Sequence, residues 1–251
     1  MKTQVAIIGG GPAGLLLSEI LHKNGIESVV LERRSRAYVL GRIRAGVLEE
    51  GSVNVLCENG VGERLLREGH VHDGAQLVWA GRDSFFIDCY KEAGKRFTTY
   101  GQTQVQEDLF AAADRRKAIV LDEATDVMPM DVTTDHPFVT FKHRGVSLRL
   151  DCDFVAGCDG KLGVSRTVIP ADKQKFYEKV FPFGWLGVLS ETPPIEHLTY
   201  ANHPRGFALA SMRHSMLSRY YIQVPLDNRI EDWPDDRFWE ELKARYPRES
   251  A

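Results

Sequence analysis

Short apolar runs and a helical pattern alternate at the start of the chain. Residues 5–8 form an apolar run of strand length, and residues 29–31 form another. Between them, Leu17, Ile20 and Leu21 recur at the spacing of one helix face. The pattern therefore predicts a strand, a helix and a second strand, which together make the β-α-β unit of a parallel sheet.

Two longer helices are predicted before the middle of the chain, besides a short one over residues 62–67. One runs from Val47 to Glu58 and ends at an Asn-Gly pair. The other follows a Thr103-x-x-Gln106 capping box, with Gln102 in the loop just ahead of the cap.

Strand patterns dominate the rest of the chain. A three-stranded meander is predicted from residues 119–121, 138–141 and 146–150, followed by a buried strand at residues 154–157. The composition turns polar near residue 172, and further strands are predicted at residues 185–189, 198–201, 206–213 and 219–224. We therefore predict an α/β (α+β) fold with an N-terminal domain over residues 1–172, into which the meander is inserted. A second domain, built on a mixed β-sheet, covers residues 173–251.

Glycines fill the turn between the first strand and the first helix, at Gly9, Gly11 and Gly14. In this spacing the first glycine permits a tight turn, the second lets the backbone approach a pyrophosphate, and the third lets the helix pack closely on the strand. The free amides at the helix N-terminus then face the phosphates. The strand and helix on either side predict a Rossmann-like dinucleotide site.

Two acidic residues end predicted strands. Glu32 stands 18 residues after Gly14, where a carboxylate accepts hydrogen bonds from ribose hydroxyls and repels a 2′-phosphate. The site should therefore hold FAD or NAD rather than NADP, and the choice between FAD and NAD is open at this point. Asp159 follows the strand at residues 154–157, at the edge where such sheets bind ligands. The alternatives are a solvated strand end for Glu32 and an ordinary Asp-Gly turn for Asp159.

Arginines crowd the chain after Glu32. Arg42 and Arg44 are interpreted as nucleotide contacts, and Arg33, Arg34 and Arg36 as candidates for a second, more phosphorylated nucleotide. Guanidinium groups suit this task because they bind phosphate in a bidentate way. A solvated charged face is the alternative interpretation.

A polar cluster in the second half is predicted from strand register. Ser211 and Arg213 alternate on one strand, Arg219 and Tyr221 alternate on the next, and five residues separate the two arginines. A symmetric register would place Arg213 opposite Arg219 and Ser211 opposite Tyr221 on one face. Opposed arginines with hydroxyls beside them favour a bound carboxylate, whereas an exposed face with splayed arginines is the alternative. Tyr200, on an adjacent predicted strand, either packs in the sheet or hydrogen-bonds a substrate hydroxyl.

Composition narrows the classes of partner. The net charge of −3 gives no reason to expect nucleic acid or an anionic membrane as a partner. No apolar run approaches the ~20 residues of a membrane span, so we expect a cytoplasmic protein. Cys57, Cys89, Cys152 and Cys158 lack metal-like spacing, so we expect free thiols and no metal site.

Several longer stretches carry a family likeness. They are residues 9–14 (GGGPAG), 40–49 (LGRIRAGVLE), 158–160 (CDG) with Ser165 and Arg166, 182–187 (PFGWLG) and 200–209 (YANHPRGFAL). Through them the chain resembles the para-hydroxybenzoate hydroxylase family of class A flavoprotein aromatic hydroxylases. The resemblance implies FAD as the cofactor and NADPH as the co-substrate, with Arg33, Arg34 and Arg36 as 2′-phosphate contacts. The residues it implies for cofactor binding are Gly9, Gly11, Ala13, Gly14, Glu32, Arg42, Ile43, Arg44, Ala45, Gly46, Val47, Gln102 and Asp159.

The resemblance also implies a substrate and a reaction. The enzyme would hydroxylate 4-hydroxybenzoate to 3,4-dihydroxybenzoate with NADPH and O2, through a flavin C4a-hydroperoxide. Tyr200 would contact the substrate phenol and Arg219 would position the flavin, both as catalytic residues. The residues implied for substrate binding are Tyr200, Ser211, Met212, Arg213 and Tyr221.

Two features depart from the family pattern. Lys161 and Leu162 stand where an aromatic residue and a histidine are expected, which weakens the expected NADPH contact there. The chain ends at Ala251, whereas family members continue, so we expect a truncated form of a protein that is a homodimer at full length. The alternatives are a non-catalytic remnant that binds nucleotide or aromatic acid, and an NAD-dependent dehydrogenase.

Overall fold

The computed structural model describes residues 1–42 and 44–246. Its strands are β1 Val5–Ile8, β2 Ser28–Leu31, β3 Val47–Glu49, β4 His70–His72, β5 Gly74–Trp79, β6 Phe85–Asp88, β7 Phe97–Thr99, β8 Ile119–Leu121, β9 Thr125–Met130, β10 Phe138–His143, β11 Val146–Asp151, β12 Phe154–Gly157, β13 Phe183–Ser190, β14 Leu198–Asn202, β15 Ala208–His214 and β16 Leu217–Pro225. Its helices are α1 Pro12–Lys23, α2 Arg36–Leu40, α3 Glu50–Glu58, α4 Glu63–Glu68, α5 Cys89–Ala93, α6 Gln102–Arg115 and α7 Asp235–Arg245.

The first of two compact units is built on a parallel sheet. Its described residues are 1–42, 44–45, 53–67 and 101–176. The strands of the sheet lie in the order β12-β1-β2-β8, and α1 connects β1 to β2. All four residues of β1 are buried, as expected for an inner strand covered on both faces. The predicted β-α-β unit is therefore confirmed.

The predicted meander is wrong in its first strand. Residues 119–121 form β8, which pairs with β2 at the edge of the parallel sheet. The meander consists of β9, β10 and β11, and its edge strand β9 contains Pro129. Proline cannot donate a ladder hydrogen bond and is tolerated at a sheet edge, which is why the sequence of β9 did not indicate a strand. Residues from the meander and the parallel sheet share one buried core, which includes Ala6, Val29, Val139 and Phe141.

The second unit contains a mixed sheet, as predicted. Its described residues are 46–52, 68–100 and 177–246, and its main sheet has the order β13-β16-β15-β14-β5-β6. Only the β14–β5 pair of this sheet is parallel among the described residues. Helix α7 packs on one face through Phe238 and Leu242. Residues 68–100 lie in the second unit because β5 and β6 belong to this sheet. The assignment of a cofactor to one unit and a substrate to the other stays a prediction.

Two helix starts differ from the predictions. Residues 47–49 form β3, which pairs with β7, and the helix begins only at Glu50. Helix α6 begins at Gln102 rather than after Thr103. Gly101 is its N-cap, and the Gly101 N–H donates to Gln104 Oε1 at 2.9 Å. A glutamine at the third helical position satisfies the N-cap amide, so the box is shifted by two residues.

Candidate functional site

The loop between β1 and α1 depends on glycines with different surroundings. Gly9 has a φ of +108°, and a Cβ at this position would overlap the Cys158 carbonyl. A Cβ at Gly14 would overlap the Gly9 carbonyl oxygen, whereas one at Gly11 would meet nothing within 4 Å. The fold therefore requires glycine at positions 9 and 14. Position 11 leaves open space beside the α1 N-terminus, where a phosphate approaches the backbone.

Two side chains hold this loop. Glu32 Oε2 accepts the Gly10 N–H at 2.8 Å, and Glu32 Oε1 accepts the Arg34 N–H at 2.8 Å. Gln106, buried on α6, donates from Nε2 to the Gly10 carbonyl oxygen at 2.8 Å. Each Glu32 oxygen keeps a second lone pair for a ribose hydroxyl. The role of Gln106 was missed, because the sequence indicated it only as part of a capping box.

A cleft of about 370 Å³ opens beside the loop. The predicted cofactor residues that line it are Gly9, Gly11, Ala13, Glu32, Arg42, Arg44, Gln102 and Asp159. The Ala45 carbonyl accepts the Gln102 N–H at 2.9 Å. Gly46 and Val47 belong to the second unit, and Ile43 lies outside the described residues.

The three arginines assigned to a second nucleotide separate in the structure. Arg33 and Arg34 line the cleft, and the Arg34 guanidinium lies 5.0 Å from the Tyr38 ring centre. Arg36 instead makes a bidentate pair with Asp114 at 2.7 and 3.0 Å. A phosphate contact by Arg36 would have to compete with this carboxylate, so Arg33 and Arg34 are the better candidates.

Asp159 has a structural task at the end of β12. Its Oδ2 accepts the Ser165 N–H at 2.9 Å and the Ser165 hydroxyl at 3.0 Å, next to the short 3-10 helix Ser165–Val168. Burial, and then the Asp159 charge, raise the pKa of the neighbouring Cys158 thiol. The cysteines are free, and the described part of the chain holds no cluster of histidine, cysteine or acidic side chains suited to a metal ion. The cofactor contact of Asp159 stays a prediction.

In the second unit, the predicted register between β15 and β16 is wrong by two residues. Ser211 lies opposite Arg219, and Leu209 lies opposite Tyr221. A β-bulge after Met212 and a two-residue turn at 215–216 replace the five-residue loop. Because side chains alternate with a period of two, this shift keeps Ser211, Arg219 and Tyr221 on the predicted face.

Arg213 lies at the bulge, close to Arg219. Burial, and then Coulombic repulsion from Arg219, lower the pKa of Arg213 to about 10, while Tyr221 acts in the opposite direction. The charged form is therefore disfavoured on folding. The penalty is fully present below about pH 10 and fades as the pH rises above that value. A carboxylate beside Arg213 would relieve this penalty, which is the property expected of an anion site.

Tyr200 shares the face of this cluster. It pairs in register with Leu209, which in turn pairs with Tyr221. The Phe207 ring lies 5.8 Å from the Tyr200 ring and 4.9 Å from the Trp185 ring, centre to centre. Burial raises the pKa of the Tyr200 phenol.

Two further positions define this face of the sheet. A Cβ at Gly187 would lie 2.6 Å from a Tyr221 ring carbon, so glycine there makes room for the ring. Met212 pairs with Ser218, and strand alternation places its side chain on the opposite face. The side chain of Met212 is thus separated from the other predicted substrate residues.

The parallel sheet, the glycine loop and the cleft together define a dinucleotide-binding α/β protein. The chain belongs to the FAD binding domain family, whose model matches residues 2–251. Over its whole length it is 50% identical to p-hydroxybenzoate hydroxylase of Acinetobacter baylyi, of which it spans 62%. It is also 38% identical to 6-methylpretetramide 4-monooxygenase of Streptomyces rimosus, over 32% of this chain and 19% of that protein.

Solved structures show the same fold. PqsL of Pseudomonas aeruginosa, in complex with 2-aminobenzoylacetate, matches with a TM-score of 0.83 and 18% identity, over all of this chain and 69% of that one. The p-nitrophenol 4-monooxygenase PnpA of Pseudomonas putida matches with a TM-score of 0.79 and 16% identity, over 97% of this chain and 63% of that one. At these identities the likeness concerns the fold alone.

FAD fits the residues of the first unit. Gly11 leaves room for a pyrophosphate, Glu32 offers lone pairs to a ribose, and Arg42 and Arg44 line the same cleft. The family membership resolves the choice between FAD and NAD in favour of FAD. Among the described residues, no helix has both the length and the apolar character needed to cross a membrane.

Proposed function

We propose that the chain carries the FAD and substrate sites of a monooxygenase that hydroxylates 4-hydroxybenzoate to 3,4-dihydroxybenzoate with NADPH and O2. The observation that carries the proposal is the half-buried Arg213, which lies near Arg219 and Tyr221 on the sheet face that bears Tyr200. The 50% identity to p-hydroxybenzoate hydroxylase supports the choice of substrate.

The face offers a binding group for each end of this substrate. Arg213, with the hydroxyls of Ser211 and Tyr221, would bind the carboxylate, because a guanidinium and neighbouring donors suit a carboxylate. Tyr200 would contact the phenol. One strand separates Tyr200 from Tyr221, which places their backbones about 10 Å apart. A flat ring with polar groups in para positions would lie along this row.

Tyr200 would favour ionisation of the substrate phenol. Its own pKa is raised by burial, so it stays protonated and donates a hydrogen bond to the substrate oxygen. A phenolate pushes electron density onto the neighbouring ring carbon, which is the carbon that receives oxygen. FAD, when bound and reduced by NADPH, supplies the activation of O2. Arg33 and Arg34 are the candidates for the 2′-phosphate of NADPH.

Ligand binding to the purified chain tests the substrate site. Replacing Arg213 by Gln should weaken 4-hydroxybenzoate and benzoate about tenfold or more, since a hydrogen bond to a charged group contributes about 1.5–3 kcal/mol. Tyr200→Phe should weaken 4-hydroxybenzoate and leave benzoate unchanged. Arg229→Gln is the matched control, because this arginine is exposed and lies outside the cluster. Equal affinity for 4-hydroxybenzoate in wild type and Arg213→Gln would contradict the proposed site.

Turnover tests the reaction. The FAD-loaded chain should oxidise NADPH faster when 4-hydroxybenzoate is added, and 3,4-dihydroxybenzoate should form with consumption of O2. Binding of both FAD and 4-hydroxybenzoate without product would favour the non-catalytic alternative for this chain. A protein that binds NAD and shows no flavin absorbance would contradict the proposal.

A further inference from the structure

A buried arginine on α7 contacts the loop that precedes β15. Arg245 is 4% exposed, and its Nη2 donates to the Arg205 carbonyl oxygen at 2.9 Å. Its Nη1 donates to Glu241 Oε2 at 2.7 Å. The Arg205 guanidinium pairs with the same carboxylate from a more exposed position. We call Arg205, Glu241 and Arg245 the α7 clamp.

The α7 clamp carries a desolvation cost that an apolar contact would avoid. Burying a guanidinium removes it from water, and Arg245 Nε has no hydrogen-bond partner among the described residues. Burial acts to raise the pKa of Glu241, but hydrogen bonds from Arg205 and Arg245 outweigh it and lower that pKa. Glu241 is therefore charged at neutral pH and offsets the buried cation. Apolar side chains also pack α7 on the sheet, so the clamp adds a polar contact to an apolar one.

The clamped loop leads directly into the substrate face. Gly206 has a φ of +106°, and a Cβ there would lie 3.3 Å from Gln223 Cβ. The next residue, Phe207, donates its N–H to Gln223 Oε1 at 3.2 Å and accepts the Gln223 N–H at 2.8 Å. Its ring lies between those of Tyr200 and Trp185. The Arg205 carbonyl stands two residues before Phe207, so Arg245 and Gln223 both hold the segment that leads into β15.

We propose that Arg245 is a positioning residue for Tyr200. By holding the Arg205 carbonyl it seats Phe207 against the Tyr200 ring and so orients the phenol towards an aromatic substrate. This inference rests on the proposed function, because it concerns the tyrosine assigned to the substrate phenol. The contact from Arg245 runs to the backbone carbonyl of Arg205.

Fluorine NMR of the full chain, labelled with 3-fluorotyrosine, tests the positioning directly. Tyr200→Phe assigns the Tyr200 resonance. Arg245→Lys should shift the Tyr200 resonance and lower its titration midpoint, because burial raises the pKa of the Tyr200 phenol and a displaced ring is less buried. The exposed α7 control Glu240→Gln should leave both unchanged. A folded Arg245→Lys protein with the wild-type Tyr200 resonance and midpoint would overturn the inference.

A second variant tests the same inference if the Arg245→Lys protein does not fold. Glu241→Gln keeps the shape of the clamp and removes its negative charge, so it should move the Tyr200 resonance in the same direction by less. An unmoved resonance in folded Glu241→Gln would then overturn the inference.

Ligand affinity separates this inference from the proposed function. Arg245→Lys should weaken 4-hydroxybenzoate about tenfold relative to benzoate, as expected for coupled neighbouring sites. The same comparison in a Tyr200→Phe background should show no such difference. If wild type fails to bind 4-hydroxybenzoate while Arg245→Lys still moves the Tyr200 resonance, the proposed function fails and the positioning role stands. If the ligand binds and the resonance does not move, the positioning role fails alone.

Discussion

Gln106 should control FAD affinity through a single hydrogen bond. Its side chain is 3% exposed, and its Nε2 donates to the carbonyl of Gly10, the residue between the first two fingerprint glycines. The Gly10 N–H is held separately by Glu32. Replacing Gln106 by Met keeps the length of the side chain and removes the donor, so the buried carbonyl loses its partner while the amide keeps its own.

The magnitude follows from that unsatisfied carbonyl. Leaving a buried acceptor without a partner costs about 1–3 kcal/mol. In the apoprotein the loop can relax so that water hydrogen-bonds the Gly10 carbonyl. FAD binding then requires the loop to return to its nucleotide-binding conformation, and the free energy of binding is weakened by the full cost. The dissociation constant for FAD should then rise about 5-fold to 150-fold, at about 1.4 kcal/mol for each factor of ten.

The assay is a titration of the apoprotein with FAD, followed by flavin fluorescence or calorimetry. Gln104→Met is the matched control on the same helix. It removes the 2.9 Å hydrogen bond to the Gly101 amide, which should lower the free energy of unfolding by about 0.5–2 kcal/mol without changing FAD affinity. Unchanged FAD affinity in Gln106→Met would refute the reasoning, and so would an equal loss of affinity in Gln104→Met.

Two further predictions concern the fingerprint and a buried ion pair. Gly11→Ala should fold with wild-type stability and bind FAD weakly, whereas Gly14→Ala should lower the unfolding temperature before FAD is added, because its Cβ overlaps a backbone carbonyl. Thermal unfolding and FAD titration of both variants check this, and the reverse order would contradict it. Arg116→Met should cost about 3–5 kcal/mol of unfolding free energy, because it leaves the nearly buried Glu19 carboxylate without its 2.8 Å partner. Urea denaturation measures the loss, and Lys142→Met, in an exposed pair, should cost about 0–1 kcal/mol.

Local patterns carried most of the fold prediction. Residues close together in the chain indicate the β-α-β unit, the glycine turn and the strands of the second unit. The structure places these elements where the sequence predicts them. The meander failed where the local signal was ambiguous. Residues 119–121 are an apolar run that suits either sheet, and only the pairing with β2 decides between them. That pairing joins segments about ninety residues apart, which no local pattern reports.

The substrate cluster shows how a wrong register can still predict the correct face. The prediction assumed a symmetric five-residue loop, and the structure has a two-residue turn with a bulge at Arg213. The error in pairing was two residues, so Ser211 and Tyr221 stayed on one face and Arg213 stayed beside Arg219. An error of one residue would have sent the side chains to the other face. The correct face was therefore predicted by the alternation of side chains along each strand, and not by the assumed loop length.

The two contacts that the sequence did not predict are both hydrogen bonds from a helix side chain to a backbone carbonyl in a loop. Gln106 on α6 hydrogen-bonds the carbonyl of Gly10, and Arg245 on α7 hydrogen-bonds the carbonyl of Arg205. In each unit a buried polar side chain on a helix holds a backbone oxygen in a loop that adjoins a candidate ligand site. Such a contact adds little to helix packing, since an apolar side chain would pack at less desolvation cost. The contact acts mainly on the conformation of the loop. Substitutions at Gln106 and Arg245 should therefore lower ligand affinity by a larger factor than apolar core substitutions that cause the same loss of unfolding free energy.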